Sequence, residues 1–252
     1  MSDGEAKKPD ESGAAATSSE RELPLDAVIA RRLTQDIVGG VYPPGHWIRE
    51  QEVASRYGTS RTPVRNAFRQ VEREGFILVR PWRGAKVLEL SADDTRYVLD
   101  MLEAVYGVAM RIAAETVPQS YFPELDRMQE AALDAVARNS LPDRINLAFQ
   151  LGRRLSRWSN SHLAHDMLNR AGSLALWQHR FLDFDVPAAA QRQVELHQTL
   201  IDAVKTRNGS LAEATAREIV SLTRSFLVPR VQLQKQADDS VMRKVGKRGS
   251  TQ

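Results

Sequence analysis

The sequence predicts a mainly α-helical protein of two domains in which one small β-hairpin interrupts the helices. Two observations carry this prediction. Apolar residues recur at helical spacing from Leu25 onward. The period changes once, between Phe76 and Leu90, where two short apolar runs flank a Pro-Trp-Arg-Gly turn. From Ser91 the helical period returns and no further strand pattern follows, so the second domain is predicted to be entirely helical.

The 252 residues are enough for two domains of ordinary size, which we place at residues 23–90 and 91–234. Residues 1–22 consist mainly of Ser, Ala, Gly, Glu and Lys and bury too little apolar surface to offset the entropy of ordering. They are predicted to form a disordered leader. Residues 235–252 are polar and basic and are predicted to form a flexible tail.

The composition excludes several classes of protein. There are no cysteines, which removes disulfides, thiolate zinc sites and cysteine nucleophiles together. No apolar run approaches the roughly 20 residues that span a bilayer, and the N-terminus lacks the apolar segment of a signal peptide. The sequence therefore predicts a cytoplasmic protein without membrane contact.

Three helices are predicted before the hairpin. The first begins at Leu25 and is ended by a Gly-Gly pair, and a short second helix lies around Glu50–Tyr57. The third begins after Ser60 and ends at Gly75. We expect the Ser60 side chain to cap this helix by accepting a hydrogen bond from a first-turn N–H. The order of helix, tight turn, helix and hairpin is that of a winged helix-turn-helix, a DNA-binding fold.

The start of the third helix carries the side chains expected to read DNA. A helix of about 14 residues fits the major groove, where its N-terminal residues face the base edges. Arg61 and Arg65 lie one helical turn apart and project to the same side. Arginine donates two hydrogen bonds to guanine or holds a phosphate, and the hydroxyls of Ser60 and Thr62 suit phosphate oxygens.

The hairpin tip and the local charge support the same interpretation. Arg83 and Gly84 at the tip are placed to enter the adjacent minor groove, where arginine is favoured. Residues 25–90 hold eleven Lys and Arg against seven Asp and Glu. The competing interpretation is that the arginines only form the solvated face of an amphipathic helix, and for Arg69 and Arg73 we favour it because acidic residues flank them.

The N-terminal domain resembles the DNA-binding domain of the GntR family of bacterial regulators. The resemblance covers about residues 25–90 and lies in the segment PPGHWIREQEVASRYGTSRTPVRNAFRQVEREGFILVRPWRGAKV, above all in its S-R-T-P-V-R core and R-G wing tip. It implies a homodimer that binds a short palindrome in double-stranded DNA. The DNA contacts that it implies fall on Gln51, Ser60, Arg61, Thr62, Arg65, Arg83 and Gly84. Some relatives have arginine in place of Gln51.

The helical remainder, roughly residues 91–230, resembles the FCD-type effector domain of the FadR-like subgroup, in helix number and length and around Asn160 and His197. Many FCD domains hold a divalent metal with one aspartate and three histidines. Here the matching positions are Asn146, Gln150, His197 and Ile219. Amides are poor ligands for transition metals compared with imidazole and carboxylate, so we predict no bound metal and no cofactor.

A metal-free effector site is predicted at the same place. Asn146, Gln150 and Arg153 share one helix face, and His197 faces the core from another helix, so these four residues are the candidates for binding a small organic effector. An anionic effector needs an arginine, for which Arg153 and Arg180 are candidates.

Plainer interpretations of the same residues stay open. A lone inward histidine is more often a hydrogen-bonded core residue, and an arginine is more often on the surface. Trp158, Trp177 and Phe181 lie at helical spacing and either line an aromatic pocket or belong to the core.

These predictions favour an effector-responsive transcriptional repressor. The alternatives are a transcriptional activator and an architectural DNA-binding protein whose helical domain only dimerises. The sequence argues against an enzyme because it contains no nucleophile–base pattern, no glycine-rich phosphate loop after a strand and no complete metal set.

Overall fold

The computed structural model describes residues 23–181 and 187–248, with side chains described for residues 23–141, 143–178 and 189–236. The predicted leader, residues 1–22, lies outside this range, as do the last four residues of the predicted tail. The mainly helical fold class with an N-terminal winged helix-turn-helix is confirmed.

The N-terminal domain contains three helices and a small antiparallel sheet. Its elements are α1 (Leu25–Val38), β1 (Trp47–Ile48), α2 (Glu50–Arg56), α3 (Arg61–Glu74), β2 (Ile77–Arg80) and β3 (Gly84–Val87). The strand order is β1-β3-β2, so β3 is central. Strand β1 was not predicted because two residues carry no readable alternation; it is defined by its pairing of Trp47 with Lys86 and Ile48 with Ala85. The sheet therefore has one strand more than the predicted hairpin.

The helical domain is built around one central helix. Its helices are α4 (Ala92–Thr116), α5 (Phe122–Ala137), α6 (Leu141–Trp158), α7 (His162–Phe181), α8 (Pro187–Lys205) and α9 (Gly209–Arg248), with a 3-10 turn at Gln119–Tyr121. Helix α4 packs most extensively against α9 and α7. It begins with a capping box, because the Ser91 hydroxyl accepts from the Asp94 N–H and the Asp94 carboxylate accepts from the Ser91 N–H. The Ser91 hydroxyl also donates to the Asp94 carboxylate, and this hydrogen bond, together with the one from the Ser91 N–H, lowers the pKa of Asp94.

The structure differs from the sequence prediction in the second half of this domain. Helix α7 is continuous from His162 to Phe181, although the glycine at position 172 lies in its middle. Gly172 does not end a helix. A Cβ at this position would lie 2.5 Å from Cε2 of Phe149, so the glycine allows α6 and α7 to approach closely. Helix α9 continues to Arg248, beyond the domain end predicted at residue 234.

Helix α7 also joins the two domains. Trp177 is buried in the core of the N-terminal domain, where its ring meets Phe76 edge to face with centroids 6.1 Å apart and planes at 82°. Leu174, one turn earlier, lies 3.7 Å from the Cβ position of Gly75. Below them, the Gln178 amide donates to the buried Thr95 hydroxyl at 2.6 Å. One helix of the second domain is thus part of the core of the first.

No helix in the described part of the chain combines the length and apolar character that crossing a membrane requires.

Candidate DNA-binding surface and effector cavity

Helix α3 presents one face to the core and the other to solvent. Val64, Phe68 and Val71 are buried against α1 and the sheet. The helix ends at Gly75, whose φ of +90° is the left-handed conformation that glycine adopts without steric cost. The opposite face is exposed and carries the predicted DNA-contacting side chains at its N-terminal end.

The two arginines at the start of α3 are held by side chains from α2. Arg61 donates from Nε and Nη2 to Oε1 of Gln51, at 2.9 and 2.6 Å. Nε of Arg65 lies 2.9 Å from both carboxylate oxygens of Glu50. That hydrogen bond and charge raise the pKa of Arg65, which remains fully ionised. Both guanidinium groups stay exposed, so α2 fixes their orientation while leaving their other N–H groups free to meet DNA.

Two details of this surface were not predicted. Gln51 was expected to contact DNA, and in the unbound protein its amide oxygen accepts from Arg61. Glu50 was missed altogether, because a residue 15 positions from Arg65 in another helix carries no sequence signal for the pairing.

The predicted side-chain cap of α3 is wrong. Ser60 occupies the N-cap position with extended backbone angles, but its hydroxyl makes no capping hydrogen bond. Thr62 in the first turn is exposed, like Ser60. Both hydroxyls therefore lie on the surface beside Arg61, as a phosphate contact requires.

The hairpin between β2 and β3 forms the wing. Arg83 is exposed at its tip, and its N–H donates to the Arg80 carbonyl at 3.2 Å to close the turn. Gly84 has a φ of +91°, and a Cβ there would lie 2.3 Å from the carbonyl oxygen of Ile48. The structure thus gives Gly84 a packing role, because a side chain would push β1 away from the wing.

The helical domain contains a mostly apolar cavity of about 110 Å³, partly open to solvent, between α4, α6, α7, α8 and α9. His197 borders it and is 5% exposed. Nε2 of His197 has no hydrogen-bond partner among the described residues, while the ring bonds the backbone of Gln193. The backbone carbonyl of Gln193 can only accept a hydrogen bond, so the ring nitrogen that bonds it, Nδ1, carries the proton. Nε2 is then unprotonated and is a free acceptor. Burial lowers the pKa of His197 to about 4, which keeps the ring neutral near pH 7.

Two further polar groups reach the same cavity. The buried Tyr106 hydroxyl has no partner among the described residues, and burial raises its pKa. The Arg153 guanidinium lies 5.5 Å above the Phe149 ring, and no carboxylate pairs with it in the described part of the chain. Partial burial, and secondarily the charge of Arg157, lower the pKa of Arg153. The cavity therefore combines an acceptor, a hydroxyl and an unneutralised positive charge with apolar walls.

The four predicted effector residues do not all meet at this cavity. Arg153 and His197 both border it, but Asn146 and Gln150 border a separate cleft of about 840 Å³ between the two domains, which Arg153 also reaches. Of the aromatic candidates, Trp177 belongs to the N-terminal core and Trp158 stacks on Tyr121 at 4.5 Å. The side chains of Arg180 and Phe181 lie outside the described residues.

The residues at the cavity do not fit a metal ion. His197 is accompanied by Tyr106, Arg153 and Ile219, none of which supplies a carboxylate or a second imidazole. No group of three or more His, Cys, Asp or Glu side chains converges anywhere in the described ranges.

Comparison with known proteins gives two family matches. Residues 25–87 match the model of the gntR family of bacterial regulatory proteins, and residues 97–222 match that of the FCD domain. The first match contains α1 to β3, and the second contains most of the helices that line the cavity.

Among curated proteins, the chain is similar to the HTH-type transcriptional repressor RspR of Escherichia coli strain K12. The two are 27% identical over 190 residues, which cover 75% of this chain and 83% of RspR. The chain is also 37% identical over 82 residues to a probable D-xylose utilization operon transcriptional repressor from Paenarthrobacter nicotinovorans, covering 32% of this chain and 36% of that protein.

Among solved structures, E. coli McbR/YncC is similar with a TM-score of 0.72 and 19% identity, covering 82% of this chain and 99% of that one. A putative GntR regulator from Rhodococcus sp. RHA1 has a TM-score of 0.65 and 16% identity, covering 81% and 97%. At these identities the likeness concerns the fold.

Proposed function

The chain belongs to the GntR family of bacterial regulatory proteins and carries an FCD domain, and from this premise we propose that it is a homodimeric repressor that a small organic carboxylate releases from a palindromic operator. It is a DNA-binding transcriptional regulator and not an enzyme. The observation that carries the proposal is the position of α7, which borders the effector cavity on one side and packs into the DNA-binding domain on the other.

The DNA-binding surface supports operator recognition. Arg61 and Arg65 stand on one face of α3 and are oriented by α2 before DNA arrives. Guanidinium groups held in this way lose little conformational freedom on binding, which favours bidentate contacts to guanine. One recognition helix reads only a half-site, so two copies of the chain are needed to read a palindrome.

The cavity supports a carboxylate effector with an apolar body. The ligand's carboxylate would pair with Arg153, and a hydroxyl or N–H of the ligand would donate to Nε2 of His197. The apolar remainder would lie against the walls from α4, α6 and α9. A ligand of this chemistry gains the hydrogen bonds that these buried groups lack within the described chain.

Release from DNA would follow from the packing of α7. Leu168, Gly172 and Leu176 on this helix border the cavity, while Leu174 and Trp177 contact the DNA-binding domain. A ligand that displaces α7 would change the position of Trp177 against Phe76, and hence the placement of the two recognition helices in the dimer. Packed cores shift between discrete arrangements rather than deforming smoothly, so a small displacement is enough.

The test of DNA recognition is fluorescence anisotropy with DNA from upstream of the protein's own gene, measured over a range of salt concentrations. Specific binding should exceed binding to random DNA by about 10³-fold or more and should weaken with salt. Arg61→Ala and Arg65→Ala should each reduce the free energy of operator binding by about 1–3 kcal/mol. Arg69→Ala is the matched control, because Arg69 is exposed on the same helix two turns from its start. Equal loss in all three variants would contradict base recognition.

The test of effector control uses the same assay with a panel of small carboxylates. A true effector should release the wild-type protein and should fail to release Arg153→Ala, while Arg157→Ala on the same helix should respond normally. His197→Ala should weaken the response and leave operator binding intact. A protein that binds its operator and responds to no ligand would instead be architectural.

A further inference from the structure

The tip of the wing carries an exposed aromatic residue in a backbone conformation that disfavours bulky side chains. Trp82 is fully exposed, at 104% of its reference area, and its φ is +66°. Apart from glycine, few residues adopt the left-handed region, and a bulky side chain there is an outlier. In the described part of the chain Trp82 makes no ring contact or hydrogen bond.

The local sequence explains how the outlier arises. Arg80, Pro81, Trp82 and Arg83 form a β-turn closed by the hydrogen bond from Arg83 to the Arg80 carbonyl. Proline at the second position and a positive φ at the third define a type II turn, whose third position favours glycine or asparagine. Here the third position is Trp82, so the turn combines an unfavourable backbone conformation with an exposed indole.

We propose that Trp82 is a DNA contact that inserts its indole into the minor groove beside the bases read by α3. This rests on the proposed operator binding. Strained residues that the fold does not require concentrate at binding sites, and an exposed indole needs a partner surface to bury it. The wing tip is the part of a winged helix-turn-helix that lies against the DNA next to the recognition helix.

The neighbours of Trp82 fit this assignment. Arg80 and Arg83 are exposed on either side of it, so the tip alternates positive charge with an aromatic ring. The guanidinium groups would meet the phosphates that border the groove, while the indole packs on deoxyribose and on the base edges at its floor. Apolar side chains in the minor groove act in this way, and A·T pairs admit them more readily because they lack the guanine amino group.

The decisive variant is Trp82→Gly, because its two effects run in opposite directions. Glycine removes the backbone penalty, so the melting temperature should rise or stay unchanged. Operator affinity should nevertheless fall about 10- to 100-fold, since burying an aromatic ring is a large part of a small interface. The slope of affinity against salt should not change, because the indole neutralises no phosphate, whereas Arg83→Ala should reduce that slope by about 1. Trp82→Phe should keep most of the affinity.

DNA substitutions identify the groove. Replacing A·T by I·C under the wing preserves the minor-groove pattern, so Trp82→Gly should still bind this DNA more weakly than the wild type. Replacing A·T by G·C adds an amino group to the groove, so the difference in affinity between Trp82→Gly and the wild type should disappear. If Trp82→Gly binds the operator like the wild type while Arg61→Ala still weakens binding, the Trp82 assignment is wrong and the DNA-binding surface stands. If neither variant changes binding, both are wrong. A change of oligomeric state in Trp82→Gly, measured by sedimentation, would assign the indole to a protein contact and overturn the proposal.

Discussion

The polar side chains of the candidate DNA-binding surface and those of the proposed effector cavity differ in exposure and in pairing. On the surface, Arg61 and Arg65 are exposed and each already has a partner from α2. In the cavity, Nε2 of His197 and the Tyr106 hydroxyl are buried and lack partners among the described residues. The exposed groups are therefore positioned within one chain before any ligand binds. The buried groups have unused hydrogen-bonding capacity.

The difference has an energetic meaning. A buried polar group without a partner costs about 1–3 kcal/mol, whereas an exposed pair contributes little to folding. Stability is thus lower than it would be with an apolar cavity, and a ligand that satisfies these groups recovers part of the loss. The surface, in contrast, is expected to contribute to DNA affinity and hardly to the free energy of unfolding.

The largest effect is expected at Trp177, through which helix α7 of the helical domain packs into the core of the DNA-binding domain. Trp177→Ala should lower the free energy of unfolding by about 3–5 kcal/mol, because it leaves a cavity in the core of the DNA-binding domain. Urea denaturation followed by circular dichroism measures it. Trp158→Ala is the control, because Trp158 is only partly buried and stacks on Tyr121. This substitution should lower the free energy of unfolding by less than Trp177→Ala does. Equal losses would mean that α7 does not stabilise the DNA-binding domain.

A smaller loss is expected from Gly84→Ala in the wing. Alanine there adopts an unfavourable φ and places its Cβ against the Ile48 carbonyl, so the free energy of unfolding should fall by about 2–4 kcal/mol. Gly58→Ala is the matched control, because Gly58 also has a positive φ of +60° but a Cβ there meets nothing within 4 Å. Thermal denaturation should show the smaller shift for Gly58→Ala. The reverse order would contradict the packing role of Gly84.

A pH dependence of intermediate size is expected from His197. The unfolded histidine takes up a proton near pH 6.5, while the folded one stays neutral until about pH 4. The stabilising effect of neutrality is therefore complete above pH 6.5 and is lost as the pH falls from there towards 4. Between pH 7 and 5 the wild type should lose about 2 kcal/mol more than His197→Gln, measured by urea denaturation at both values. Parallel losses in the two proteins would show that His197 is not buried as described.

The smallest effect is expected from Glu50→Gln on the DNA-binding surface. Removing the carboxylate frees Arg65, and operator affinity should fall about two- to fivefold through lost orientation of the guanidinium group. The melting temperature should not change. Glu52→Gln, an exposed change on the same helix, is the control. If Glu50→Gln binds more tightly than the wild type, Glu50 competes with DNA for Arg65 rather than positioning it.

The sequence predicted what depends on local pattern. The period of α3 and the glycine at its end identified the recognition helix, and the return of the helical period from Ser91 marked the start of α4. Contacts between residues that lie far apart in the sequence could not be predicted from it. The pairing of β1 with β3, the contact of Gly172 with Phe149 and the hold of Glu50 on Arg65 all join residues that only the fold brings together.

The effector site shows the same limit. Spacing placed Asn146, Gln150 and Arg153 on one face of α6, and that much is correct because all three border the cleft between the domains. Spacing does not tell which cavity a helix face borders. His197 lies at the other cavity, and Arg153, long enough to reach both, is the residue that connects the two groups.

The burial of Trp177 in the N-terminal core limits how freely these two domains can be recombined. If the two domains were structurally independent, the DNA-binding domain could be fused to any effector domain at the linker before α4. Here such a chimera would leave a hole beside Phe76 unless the incoming α7 carried a matching aromatic residue. A biosensor built from this chain would therefore have to transplant Leu174 and Trp177 together with the DNA-binding domain, although more than 80 residues separate them from it in the sequence.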